Sequence, residues 1–285
     1  MRYDFGSDNT AGMAPAALEA VVAANDGFAR AYGADDVTAR AADQIRGRLD
    51  ADAEVRFVFS GTAANAIALS MLAFPHEAVL AHHAAHICTD ETGAPGFFGQ
   101  GVGLIGLPGF SGKIEPAALN AALAEPEVGH RQPPAALSLT QSTEYGTVYT
   151  EEELRHLIEP VKLKGYGVHM DGARLANAAA AGFDLTQIAR LGVDILVFGG
   201  AKAGANCAEA LVIFDKSLAR RIDNRLKQAG QTASKARFLA APFLGLLESG
   251  AWEDGAAHAN LMAQRLAAGI ATRSPFILAH PVEAN

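Results

Sequence analysis

The feature that most constrains this chain is an alternation. Short, continuous apolar runs, most closed by glycine or a small polar residue, are separated by stretches of helical period. The runs are EVRFVFSG, ending at Gly61, AVLAHHAAH, GVGLIGLPG, PPAALSLTQS, YGVHMD, VDILVFGG and ALVIFD. Apolar residues at consecutive rather than alternate positions read as strands buried on both faces. Between them lie APAALEAVVAANDGFARAYG, opened by Pro15 and stopped by Gly33, then VTARAADQIRGRL, TAANAIALSMLAF, EPAALNAALAE, TEEELRHLIEPVKLKG and ARLANAAAAG, with further helices from Lys216, Ala236 and Ala251. Pro160 is expected to bend or end its helix. The whole reads as an α/β fold, a mostly parallel sheet of seven-stranded type with helices on both faces. The closing FILAHPVEAN reads as the start of one more strand.

Composition narrows the function classes. With 285 residues, half of them hydrophobic, the chain can bury a sizeable core in one large or two smaller domains. A net charge of -8 with no long basic run argues against nucleic acid or an anionic membrane as partner. The apolar runs break well before the ~20 residues that span a bilayer, and MRYDFGSDNT holds no apolar signal core. Cys88 and Cys207 fit a reducing compartment, so a cytoplasmic protein is expected.

In a sheet of this kind the ligand lies beyond the carboxyl ends of the strands. Three segments fall there. FSGTAAN places Ser60, Gly61 and Thr62 between a strand and a helix, where free N–H groups and the helix dipole favour a phosphate, although an ordinary N-cap needs the same residues. VHMDGARLA puts Asp171 at a strand end with Arg174 three residues on, which suits either a carboxylate facing a ring nitrogen or a helix cap with a local ion pair. GGAKAGAN sets Lys202 in a turn of glycine and alanine, whose nearest acidic residues in sequence are Asp194 and Glu209. An exposed turn lysine needs no explanation. A lysine in a cleft is an amine nucleophile able to form a Schiff base with a carbonyl.

HHAAHICTDETGA adds His82, His83 and His86, with Asp90 and Glu91. His82 and His86 have the i, i+4 spacing of zinc sites, but HExxH is absent and the setting is strand to loop, so an imidazole stacked on a ring, or a buried structural histidine, is the better reading. No dinucleotide fingerprint follows a strand, and GFSGKIE fails as a P-loop because Ile114 stands where Ser or Thr is required. Taken together, a phosphate-type turn, an acid at a strand end and a lysine after the next strand are the requirements of pyridoxal phosphate: N–H donors for its phosphate, an acid for its pyridine nitrogen and an amine for its aldehyde.

The order SGTAAN, AHICTDETGA, LTQSTEYGTVY, HMDGARLANA, FGGAKAGA, preceded by FGSDNTAG, resembles the low-specificity threonine aldolases, in the beta-eliminating lyase group of the aspartate-aminotransferase-like pyridoxal phosphate enzymes. The resemblance covers nearly the whole chain. It implies Lys202 as the Schiff-base lysine, Asp171 on the pyridinium, His86 stacked on the ring, and Ser60, Gly61 and Thr62 on the phosphate. A base must also take the β-hydroxyl proton, and His86, or a water held by it, is the residue expected to do so. Arg174 and Ser7 would touch the substrate carboxylate or a cofactor oxygen. The implied reaction cleaves a β-hydroxy-α-amino acid to glycine and an aldehyde, in a homodimer or homotetramer.

Three departures from that family stand out. TQSTEY replaces its ENTHN stretch, leaving Thr143 where a histidine reads the substrate hydroxyl. RLKQAGQTASKARF replaces a glycine-rich stretch, making Lys235 and Arg237 candidate phosphate contacts. The family also continues into a small domain carrying a second carboxylate-binding arginine, so residues 1–250 read as the large domain and 251–285 as a connecting helix and the start of a truncated small one. Other readings remain: a related pyridoxal phosphate lyase or aminotransferase, a metal-dependent hydrolase using His82, His86 and Asp90, or a catalytically silent fragment.

Overall fold

A computed structural model describes residues 6–273 and 275–285. Among these, seven strands, β1 (Glu54–Val58), β2 (Ala78–His82), β3 (Gly103–Leu107), β4 (Pro134–Thr140), β5 (Gly167–Gly172), β6 (Ile195–Phe198) and β7 (Glu209–Ile213), form one sheet ordered β1-β7-β6-β5-β4-β2-β3. All run parallel except β7, which is antiparallel to both neighbours. Each apolar run of the sequence analysis carries one of these strands.

The helices are α1 (Pro15–Ala24), α2 (Asp36–Leu49), α3 (Gly61–Leu72), α4 (His86–Thr89), α5 (Ala94–Phe98), α6 (Pro116–Ala124), α7 (Glu151–Leu163), α8 (Leu175–Ala180), α9 (Gln187–Arg190), α10 (Ile222–Gln228), α11 (Arg237–Ser249) and α12 (Ala251–Arg273). They cover both faces, which is why the strands carry no polar alternation. Leu196, Phe198 and Val212 point into a core shared with α2, α7 and α11, while Ile195, Val197, Leu211 and Ile213 point into the opposite core under α3 and α10.

Four local expectations are corrected. The first helix stops at Ala24 rather than at Gly33, because Asn25, Asp26 and the left-handed Gly27 make a turn that a helix cannot cross. Pro160 does not end α7, which continues to Leu163. A reciprocal Thr150–Glu153 capping box and the burial of Leu154, Leu157, Ile158 and Val161 outweigh the missing N–H. The helix expected from Lys216 begins only at Ile222, since the Asp215 carboxylate caps a turn by accepting from the Ser217 N–H. Finally, 275–285 forms no strand. Its end is pinned instead: the Glu283 and Ala284 N–H groups donate to Gly146 O at 3.2 and 2.8 Å, and that of Asn285 donates to Asn260 Oδ1.

Candidate active site

β1, β4, β5 and β6 all end at the same edge. β7 runs the other way, so its first residue, Glu209, in register with Val58, lies at that edge too. A cleft of about 270 Å³ opens there, lined among others by Ser60, Gly61, Thr62, His86, Asp171 and Lys202. Residues more than a hundred positions apart thus meet because strand ends converge.

The Ser60 hydroxyl caps α3, accepting from the Ala63 N–H at 3.3 Å. The N–H groups of Gly61 and Thr62, at the first turn of the helix, have no intrahelical acceptor and face the cleft's side of the sheet. Lys202 sits in a short 3-10 turn (Ala201–Ala203) that follows β6. Among the described residues no carboxylate comes within ion-pair distance of its amine. The turn is small for steric reasons: a Cβ on Gly199 would stand 2.4 Å from Ala173 O, and one on Gly200 2.3 Å from the Phe243 ring.

Asp171 is buried, and each of its oxygens accepts a hydrogen bond. Its Oδ1 accepts from the Ala173 N–H at 3.0 Å and its Oδ2 from Asn65 Nδ2 at 2.9 Å. The same Asn65 nitrogen donates to Glu91 Oε1 at 2.7 Å, and Glu91 holds His86 Nδ1 at 2.9 Å. This carboxylate raises the His86 pKa from its ordinary value, against the effect of partial burial. Glu144 accepts from the His86 N–H at 3.2 Å, and burial, reinforced by the nearby Asp171 charge, pushes its carboxyl up.

The local ion pair between Asp171 and Arg174 does not form. Arg174 turns to Asp8, its Nε and Nη2 donating to the two carboxylate oxygens at 2.8 and 3.1 Å. Arg174, Ser7, Asp8, Thr143 and Glu144 line a second cavity of about 340 Å³, and Glu144 lines both. The Ser7 hydroxyl donates to Asp8, and Thr143 Oγ1 is spent on Ser111 O and Thr147. Neither Lys235 nor Arg237 lines the cleft; Arg237 reaches Gly27 O, across a different pocket.

His82 is committed to the backbone, Nδ1 accepting from the Ala84 N–H and Nε2 lying 3.2 Å from Gly109 O. Among the described residues no three of His, Cys, Asp and Glu group as a metal site, and no helix is long and apolar enough to cross a membrane.

Sequence reasoning missed Asn65, Glu91, Glu144, Glu209 and Asp8 as parts of the site. All five lie inside or beside quoted motifs, and the one available signal was an amide or carboxylate in an otherwise small or apolar stretch, as Asn65 is in SGTAAN and Glu209 in CAEALVIF.

The chemistry open to this arrangement is specific: an anion on the start of α3, a carbonyl on Lys202, a protonated ring nitrogen on Asp171, and a proton acceptor at His86. Comparison with known proteins gives the family and the fold. The family model described as beta-eliminating lyase matches residues 4–285. A low specificity L-threonine aldolase from a Pseudomonas species is 45% identical over 283 residues, 99% of this chain and 82% of that protein. A solved threonine aldolase from Leishmania major superposes with a TM-score of 0.94 at 34% identity, covering all of this chain and 83% of that one. A methionine aminotransferase from Escherichia coli, at 11% identity and a TM-score of 0.75, covers 96% of this chain and 74% of its own, and shares the fold.

Proposed function

The chain belongs to the beta-eliminating lyase family, and from that premise we propose that it is a pyridoxal-phosphate-dependent aldolase that cleaves a β-hydroxy-α-amino acid of the threonine type to glycine and an aldehyde. The observation that carries this reading is the convergence of Lys202, Asp171 and the Ser60–Thr62 turn on one cleft, with His86 on its wall. The residues suit the cofactor: an amine with no ionic partner among the described residues, a carboxylate locked in place, and a helix start with open N–H groups.

When bound, pyridoxal phosphate supplies the electron sink that makes cleavage of Cα–Cβ feasible. The protein's residues supply the rest. Ser60, Gly61 and Thr62 would hold the phosphate, and Lys202 would offer the amine for the aldehyde. Asp171, oriented by Asn65 and the Ala173 N–H, would hold a proton on the ring nitrogen. Arg174, set by Asp8, would receive the substrate carboxylate and so orient the substrate. His86, backed by Glu91, takes the β-hydroxyl proton. Glu144 lines both cavities whereas Thr143 lines only the second, so in this reading Glu144 rather than Thr143 would lie beside the β-substituent. A cytoplasmic homo-oligomer is the working assembly of this reading, to be checked by light scattering.

The test is the visible absorbance of purified protein with added pyridoxal phosphate, followed by borohydride reduction and peptide mapping. A band trapped on Lys202, with glycine and an aldehyde released from threonine, supports the proposal. No band, or label scattered over surface lysines, overturns it.

A further inference from the structure

The cleft holds one carboxylate more than the proposed chemistry uses. Asp171, Glu144 and Glu209 line it against a single amine, Lys202. Asp171 is needed as an anion and Glu144, which accepts from the His86 N–H, lines the second cavity as well, whereas Glu209 is behind the phosphate-type turn. It is 5% exposed, its Oε2 accepts from the Gly200 N–H at 2.6 Å, and its Oε1 lies 3.9 Å from the position a Cβ on Gly61 would take. A phosphate monoester docked on Gly61 and Thr62 brings up to two further negative charges to this buried corner. Opposed by one ammonium, that arrangement is electrostatically unfavourable with Glu209 ionised.

We propose that Glu209 is the acid of the phosphate site: it takes up a proton from solvent when a phosphate monoester docks on the Ser60–Thr62 turn and releases it when the phosphate leaves. This rests on the cofactor reading above. The groups facing Glu209 allow it. Asp171, from β5, repels its charge and Lys202, from the turn after β6, attracts it; β1 and the start of α3 offer Val58, Ser60, Gly61 and Thr62, none ionisable in this range; His86 and Glu144 line the same cleft. In the absence of phosphate, burial pushes the carboxyl up to about 7 against the Gly200 N–H bond, so the proton is already close to balance.

Pyridoxine 5′-phosphate is the probe, because its hydroxymethyl group cannot react with Lys202. Titration calorimetry at pH 8 in two buffers of different ionisation enthalpy counts the protons taken up per ligand, for wild type and Glu209→Gln. The amide keeps an oxygen for the Gly200 N–H while removing the titration. The expected result is close to one more proton taken up by wild type. Wild-type affinity should also weaken relative to the variant by up to roughly tenfold per pH unit above pH 7, with the two matching at pH 6. Equal proton counts, or parallel affinity profiles, overturn the proposal. If Glu209→Gln does not fold, judged by circular dichroism, the wild-type count with inorganic phosphate decides: net uptake at pH 8 supports the proposal and none overturns it. The two readings fail separately. Colour from pyridoxal phosphate trapped on Lys202 without Glu209-dependent uptake removes only the proton; absence of both colour and phosphate-ligand binding removes the cofactor reading and this proposal with it.

Discussion

Asn65 Nδ2 donates to two buried carboxylates at once, Asp171 Oδ2 at 2.9 Å and Glu91 Oε1 at 2.7 Å. One neutral amide thereby couples the acid meant for the ring nitrogen to the acid that charges His86. Replacing it with leucine, similar in size, leaves both anions without their shared donor. Asn65→Leu is expected to lose about 2–4 kcal/mol of stability by urea denaturation and to weaken pyridoxal phosphate binding. An unchanged denaturation midpoint would show that the bridge contributes nothing.

His86 and Glu91 set a pH dependence. The hydrogen bond to Glu91 raises the imidazole pKa above its ordinary value, with the Asp171 and Glu144 charges acting in the same direction. The pair therefore stabilises the fold fully below about pH 6.5, the unfolded value, and that contribution is lost as pH rises through the raised folded value. If neutral His86 is the base, kcat/KM climbs through the same raised value. Glu91→Gln should move the acidic limb to lower pH, measured by glycine release across pH 5 to 9. His86→Phe keeps a ring to stack but no base, and kcat should fall by roughly 10²-fold or more.

The outline of this fold could be read from sequence because it rests on local patterns. VDILVFGG and ALVIFD are apolar at successive positions since α3 and α10 cover one face of β6 and β7 and α2, α7 and α11 the other. Lys202 and Asp171 were readable for the same reason, each ending or following a strand of a parallel sheet. Glu209 was not, since only the reversed direction of β7 brings the first residue of that strand to the cleft. Asn65 escaped because it meets Asp171 from 106 positions away, and Glu91 because its local bond to His86 depends on how the segment after β2 turns, which no periodicity shows. Pro160 misled because capping and burial along α7 are worth more together than one backbone hydrogen bond.

The pairing of Asp8 with Arg174 divides binding from chemistry. Both Asp8 oxygens hold one edge of the guanidinium, and Nη1 stands 4.0 Å from Glu144 Oε2. Without Asp8, Arg174 is free to swing toward Glu144 and leave the substrate carboxylate unclamped. Asp8→Ala should raise KM for threonine by about tenfold, and Arg174→Lys, which loses the planar fork, by more. Steady-state rates with threonine check both. KM values equal to wild type would remove the clamp from Arg174.

The small residues around Lys202 are a packing requirement, and this is testable apart from activity. A Cβ on Gly200 meets the Phe243 ring at 2.3 Å and Ala208 O at 2.5 Å. The ring can be trimmed but the carbonyl, beside β7, cannot move without disturbing the sheet. Gly200→Ala should cost about 1–3 kcal/mol, and because the Gly200 N–H is the donor held by Glu209, the shift should also carry the Lys202 turn out of place. Adding Phe243→Leu removes only the ring clash, so the double variant should recover neither stability nor cofactor affinity. Full recovery of both, by thermal melting and by absorbance titration with pyridoxal phosphate, would make the ring rather than the backbone the reason for glycine here.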